Sequence, residues 1–312
     1  TKYKGNLIQY VAKVISLGIP RPANMLFLYL LGFYLLLLSL KVDYRLSAIG
    51  AIAFAFSSYF FIIIMAGHMT KAHAIAYVPM VVAAVLYTYR GRMLLGGVLT
   101  ALAVAMELYA NHLQITYYLV LMLLLIGLVQ FIKDVKANNL LDFAKRSGIL
   151  LFAGLLASGT SLTRLSTTME YGKDSTRGKS ELTDNLDNKT SGLDKDYATS
   201  WSYGVAEIFT LLIPNFHGGA SQGALTTDSE TYQAIKRAPN AKQLIKQLPL
   251  YWGAQPFTSG PTYAGSIVIF LFVLGLLFVK AEMRIWLLLA TILSIMLAWG
   301  KNFMPLTDLF LD

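Results

Sequence analysis

Glu107 is the only carboxylate inside any of the long apolar runs of this sequence. A charge at the centre of a membrane-length helix costs at least about 2.5 kcal/mol, and less near an end, so a carboxylate kept there needs a task or a partner. Glu107 stands one turn from the end of its run, in Met106-Glu107-Leu108-Tyr109-Ala110-Asn111-His112. If the helix continues, Glu107 and Asn111 share a face at i, i+4, and carboxylate, amide and the imidazole of His112 converge. Such a set can hold a substrate and position its hydroxyl for proton removal. The plainer reading is a structural carboxylate braced against a neighbouring helix or reaching for water.

Arg164 is the matching cation, the only Lys or Arg inside a run and again one turn from its end. Lys71 lies in the tight turn Gly67-His68-Met69-Thr70-Lys71-Ala72-His73. Together they would put positive charge at headgroup depth, where a lipid phosphate sits; ordinary headgroup contact is the competing account. A metal site on His68 and His73 is the weaker reading, because i, i+5 spacing suits neither face of one helix and no paired carboxylates accompany it. No metal ligands are assigned; the cofactor is left unknown, with a divalent metal as the one alternative weighed. The sequence has no cysteine, which removes disulfides, thiolate metal sites and cysteine nucleophiles. Walker A, Gly-rich dinucleotide, His-Glu-x-x-His and nucleophile-elbow motifs are all absent from it.

Eight apolar runs must position these groups: Met25 to Leu40, Leu46 to Met65, Ala72 to Tyr89, Met93 to Tyr109, Ile115 to Ile132, Gly148 to Leu165, Tyr263 to Val279 and Ile285 to Trp299. About 20 mainly apolar residues cross a bilayer, so the first and last are short. With 56% hydrophobic and 14% charged residues, against about 25% charged in soluble domains, the chain is read as a membrane protein. Lys and Arg mark the cytoplasmic side of short loops. Alternate connections hold Lys41 and Arg45, then Arg90 and Arg92, then Lys133, Lys136, Lys145 and Arg146, then Lys280 and Arg284, while the intervening turns hold only Lys71. The site residues, and all four histidines, therefore fall on the other side.

The spacing predicts an all-α polytopic membrane helix bundle of about eight spans. Residues 1–165 supply an interfacial helix and six spans, 166–261 a large extracytoplasmic loop, and 262–312 two further spans. The interfacial helix rests on Leu7, Ile8, Val11, Val14 and Ile15 among Lys4, Gln9 and Lys13. Pro20 and Pro22 then turn the chain into the membrane. Within the loop, Gly218 to Gly223 reads as flexible and Ala234 to Leu250 as a short amphipathic helix. The loop holds ten acidic and nine basic residues, so the net charge of +9 is a membrane-orientation signature and nucleic acid is not a partner. The start at Thr1 and the stop at Asp312 read as cuts in a longer protein.

In order along almost the whole chain, Ala66-Gly67-His68-Met69-Thr70-Lys71, Ala110-Asn111-His112-Leu113-Gln114-Ile115-Thr116-Tyr117-Tyr118 and Glu170-Tyr171-Gly172-Lys173-Asp174-Ser175-Thr176-Arg177-Gly178 resemble segments of the YfhO-like family of bacterial membrane proteins. Trp201-Ser202-Tyr203-Gly204, Leu212-Ile213-Pro214-Asn215-Phe216-His217-Gly218-Gly219 and Tyr251-Trp252-Gly253-Ala254-Gln255-Pro256-Phe257-Thr258-Ser259-Gly260 carry the same resemblance. That family is similar to the GT-C class of membrane glycosyltransferases.

The resemblance implies transfer of a sugar from a polyprenyl-phosphate donor to an envelope glycopolymer or lipid acceptor, outside the bacterial cytoplasmic membrane. It also implies a catalytic carboxylate in the first external loop, a segment expected before Thr1, so no catalytic residue carries over. Lys71, Arg164 and Arg177 would serve the phosphate, and Glu107, Asn111, His68 and His112 would line the sugar or acceptor pocket. The rival readings are a transporter or lipid flippase, and a non-enzymatic subunit of an envelope assembly.

Overall fold

The computed structural model describes residues 6–175, 195–220, 223–256 and 262–311. Regular secondary structure among them is helical, apart from one isolated antiparallel bridge between Gly223 and Leu248. The chain divides into two compact units, Thr1–Met169 with Lys280–Ala290, and Glu170–Val279 with Thr291–Asp312.

The first unit is built on α1 (Leu7–Ile15), α2 (Ala23–Ser39), α3 (Tyr44–Ala55), α4 (Ser58–Met65), α5 (Met69–Tyr89), α6 (Met93–Tyr109), α7 (Leu113–Lys136), α8 (Leu140–Gly159) and, as far as Met169, α9 (Leu162–Lys173). In hydrocarbon, helices gain little by hiding apolar surface from lipid, so close approach and hydrogen bonds must hold them together. α5 has the residues for this. Apolar on all sides, it buries Ala72, Ala74, Ala76, Ala83 and Ala84, and it touches α2, α4, α6, α7 and α8. The hydroxyl of Tyr29 on α2 donates to the carbonyl of Ala72 at 2.7 Å. A Cβ at Gly32 would stand 3.0 Å from the Ala76 carbonyl oxygen, and one at Gly96 on α6 would stand 2.8 Å from the Thr88 backbone. These glycines let α2 and α6 lie directly on α5. Pro79 is buried inside an α5 that runs without a break.

Helices Met69–Tyr89 and Leu113–Lys136, and the helical stretch Met283–Phe310, are long and apolar enough to cross a membrane. Two expected spans are broken rather than straight. Leu46 to Met65 becomes α3 and α4, bent by 41° at Phe56 and Ser57, and Gly148 to Leu165 becomes α8 and α9, bent by 76° at Thr160 and Ser161. Counting each bent pair as one span gives five, and Ala23–Ser39, Met93–Tyr109 and Ser266–Phe278 are shorter apolar helices. The hydroxyl of Thr160 donates to the Ala157 carbonyl at 2.7 Å, which turns the last polar groups of α8 back on the helix and ends it. The chain is thus an all-helical protein with the helices of a membrane protein.

α1 forms where the sequence places it. Asn6 caps it by accepting from the Ile8 amide at 3.0 Å, Ile8 and Ala12 are buried, and Leu7, Val14 and Leu17 stand exposed.

The second unit holds α10 (Lys195–Thr199), a 3-10 turn at Val205–Leu211, α11 (Glu230–Ile235), α12 (Ala241–Leu244), α13 (Ser266–Phe278), the end of α14 (Ala281–Trp299), and α15 (Met304–Leu311). The amphipathic helix expected at Ala234 to Leu250 is instead two short ones, because Pro239 breaks the pattern and Asn240 takes a left-handed φ of 63°. Of the stretch Gly218 to Gly223 read as flexible, Ser221 and Gln222 lie outside the described residues, and Gly218 has a packing role. At φ 81°, its missing Cβ leaves room for the Leu250 carbonyl.

Candidate functional site

In the first unit, α5 starts where α6 ends and α7 begins, and this end collects the polar groups. Arg90 and Arg92 lie at the other end of α5 and α6, and Lys133 and Lys136 at the other end of α7. Glu107 is fully buried near the last turn of α6. Its two carboxylate oxygens each accept from the hydroxyl of Thr116, at 3.0 Å. Thr116 sits on the first turns of α7, brought within reach by the short turn Ala110 to His112.

That turn corrects the expected convergence of Glu107 with Asn111. α6 stops at Tyr109, and Asn111 adopts a left-handed φ of 60°, so it is exposed and off the helix face. Asparagine tolerates this conformation better than most side chains, and its place here is conformational. His112, the next residue, precedes the first turn of α7 and lies 3.4 Å through Nδ1 from the Thr70 hydroxyl, tying the start of α7 to the start of α5.

Arg164 also differs from expectation. It lies on the first turn of α9, beyond the bend, and its guanidinium donates to the Tyr109 carbonyl at 2.7 Å while lying 5.2 Å from that ring centroid. A cation on the last carbonyl of α6 satisfies a helix-end acceptor and suits the helix dipole. Lys71, half-buried on α5, holds its ammonium 5.7 Å from the Tyr59 ring centroid. His68 precedes α5 and is exposed. Arg177 lies outside the described residues.

The structure adds residues that spacing did not reveal. Arg21 stands 3.5 Å from Nδ1 of His73, whose ring stacks on Tyr77 at 5.6 Å. Asn24 Oδ1 and the Tyr77 hydroxyl are buried with no hydrogen-bond partner among the described residues. His73 therefore faces an arginine, not a metal ligand set, and no cluster of three or more His, Asp or Glu suited to a metal occurs among the described residues. Thr116 and Thr70 were legible only as parts of the quoted segments; Arg21 and Tyr77 left no spacing signal.

The second unit has a buried carboxylate of its own. Glu207 accepts from the Gly204 amide at 2.6 Å and from the Tyr251 hydroxyl, and Tyr251 in turn accepts from the Gln255 amide at 2.9 Å. A Cβ at Gly253 would collide with both the Glu207 carboxylate and the Tyr251 hydroxyl. Burial first, and then the hydrogen bond to Glu207, pushes the Tyr251 phenol up to about 12. His217 packs against Trp252 with ring centroids 4.5 Å apart and planes tilted by 39°, and the Trp252 amide donates to the His217 carbonyl at 3.0 Å. The segments around Ser202, His217 and Tyr251, far apart in sequence, thus build one hydrogen-bonded assembly. No protein-family model, curated protein or solved structure matches the chain.

Proposed function

We propose that this chain is a membrane glycosyltransferase that moves a sugar from a polyprenyl-phosphate donor to a cell-envelope acceptor on the extracytoplasmic face of the bacterial cytoplasmic membrane. In this reading the three long, three short and two bent apolar segments make eight spans, and residues 166–261 form the external loop. The observation that carries it is the gathering of Glu107, Thr116, His112, Thr70, Lys71 and Arg21 at the end of the first unit away from the basic connections. A carboxylate there can orient an acceptor hydroxyl, and cations at the same end of the unit can stabilise a departing lipid phosphate. The resemblance of six ordered segments to YfhO-like proteins supports the same reading. A site at one membrane face also suits a donor that arrives sideways from the bilayer.

Purified protein in lipid nanodiscs, given a polyprenyl-phosphate sugar labelled in the sugar, should transfer label to an envelope acceptor. Movement of the intact donor between leaflets without transfer would favour the second reading, a transporter or lipid flippase. One observation speaks for that rival: the break at Phe56 and Ser57 falls midway along a span, and interrupted helices near mid-membrane are a transporter feature.

A further inference from the structure

A cleft of about 540 Å³ opens in the second unit, lined by Lys195, Asp196, Thr199, Gln255 and Lys301 among others. Its walls are built, not incidental. On one side the relay from Glu207 through Tyr251 to the Gln255 amide fixes the backbone. On the other, Ser202 donates to the Thr199 carbonyl at 2.6 Å and accepts from the Lys301 amide at 2.9 Å, so one hydroxyl ties the α10 side to the Lys301 side. Gly300, at φ 45°, has no Cβ to displace that hydroxyl.

Gln255 is 7% exposed, and its side-chain nitrogen has no acceptor among the described residues. A buried amide donor left unpaired costs about 1–3 kcal/mol, so an acceptor from the cleft that Gln255 lines would relieve a standing penalty. Charge decides what carries that acceptor. Lys195 is paired with Asp308 at 2.5 Å, and the remaining charged residues lining the cleft are one lysine, Lys301, and one carboxylate, Asp196, so their formal charges cancel. A phosphate finds no net positive charge in such a cleft and is repelled by the Asp196 carboxylate. A hydroxyl group both donates and accepts, and fits a site with amide and ammonium donors beside carboxylate and hydroxyl acceptors.

We propose that this cleft binds a neutral polyhydroxylated ligand, a saccharide unit, through Gln255, Lys301 and Asp196. The assignment rests on the second unit alone and is read by binding, so it can fail while the transfer reading stands, and the reverse. The test is saturation-transfer NMR on the full chain in nanodiscs, with glucose, galactose, N-acetylglucosamine and inositol as probes and inorganic phosphate as the charged control. At least one saccharide should receive saturation, and the signal should fall at least fivefold in Gln255→Leu and in Lys301→Met. Lys301→Met keeps its backbone bond to Ser202, so it serves if Gln255→Leu fails to fold. Binding of phosphate without any saccharide, absence of binding by all probes, or saccharide binding unchanged in Lys301→Met would overturn the proposal.

Discussion

The Thr116 hydroxyl stands 3.0 Å from each carboxylate oxygen of Glu107, a contact that closes the α6–α7 turn from inside the first unit. A carboxylate at this depth has a partner, but a weak one, since one hydroxyl offers a single proton to two oxygens. Glu107 therefore keeps acceptor capacity beyond the proton that Thr116 supplies.

Thr116→Val removes that proton while conserving shape, leaving the buried carboxylate without it. The expected loss is about 1–3 kcal/mol of stability, the cost of a buried polar group deprived of its partner. Thermal unfolding of the protein in detergent measures it. An unchanged unfolding temperature would show that Glu107 is satisfied elsewhere.

Arg164 should behave as a helix-end cation. Its charge-assisted bond to the Tyr109 carbonyl joins α9 to α6, and hydrogen bonds to charged groups contribute about 1.5–3 kcal/mol, with the lower end fitting a half-buried side chain. Arg164→Met should lower the unfolding temperature and loosen α9, seen as faster amide exchange over residues 162–173. Loss of donor binding with stability intact would return Arg164 to the phosphate.

The topology reading makes its own prediction from the ten basic residues in alternate connections. Cysteines placed at Ser191, outside the described residues, and at Asn138 should react with an impermeant thiol reagent from opposite faces of the membrane. Labelling of both from one face would remove the orientation and the assignment of the site to the external side.

What the sequence could and could not disclose has physical reasons. The helices were legible because apolar runs of membrane length leave few alternatives, and Glu107 stood out because it is the one carboxylate among them. The bends at Phe56 and Thr160 were hidden because neither break carries a Pro, and the short polar stretches Ser57-Ser58 and Ser158-Gly159-Thr160-Ser161 are compatible with an unbroken helix. Asn111 was misread because i, i+4 logic presumes a helix that in fact ends two residues earlier. Thr116 depends on a contact between elements, whereas Glu207 is the one carboxylate in the apolar stretch Val205 to Ile213, a signal too short to read as a span and so passed over within the loop.

Tyr251 gives a prediction about alkaline pH. Its phenol is near 10 in the unfolded chain and is pushed up to about 12 in the folded one, by burial and then by Glu207. The folded state thus prefers the neutral phenol. Its contribution to stability is complete below about pH 10 and is lost as pH rises toward about 12. Tyr251→Phe should lower stability at neutral pH, by leaving the Glu207 oxygen and the Gln255 amide short of a partner, and should flatten the decline above about pH 10. A decline of equal steepness in wild type and Tyr251→Phe would assign the alkaline loss to other groups.

Glu107→Gln separates function from folding at the carboxylate itself. The amide keeps the shape and one oxygen to accept from Thr116, so the bond across the α6–α7 turn survives, while charge and basicity are lost. If Glu107 only braces the turn, the variant should be close to wild type in both accumulation and transfer. If it holds the acceptor and orients its hydroxyl, the protein should accumulate normally while transfer from a polyprenyl-phosphate donor falls at least about tenfold, about 1.4 kcal/mol of transition-state stabilisation. Lys71→Met provides the internal contrast: its ammonium faces the Tyr59 ring rather than a carboxylate, so its loss should weaken donor binding and raise the donor concentration needed, with turnover at saturation less affected. Normal transfer by Glu107→Gln beside a donor-binding defect in Lys71→Met would leave the phosphate side of the site standing and reduce Glu107 to a brace for Thr116.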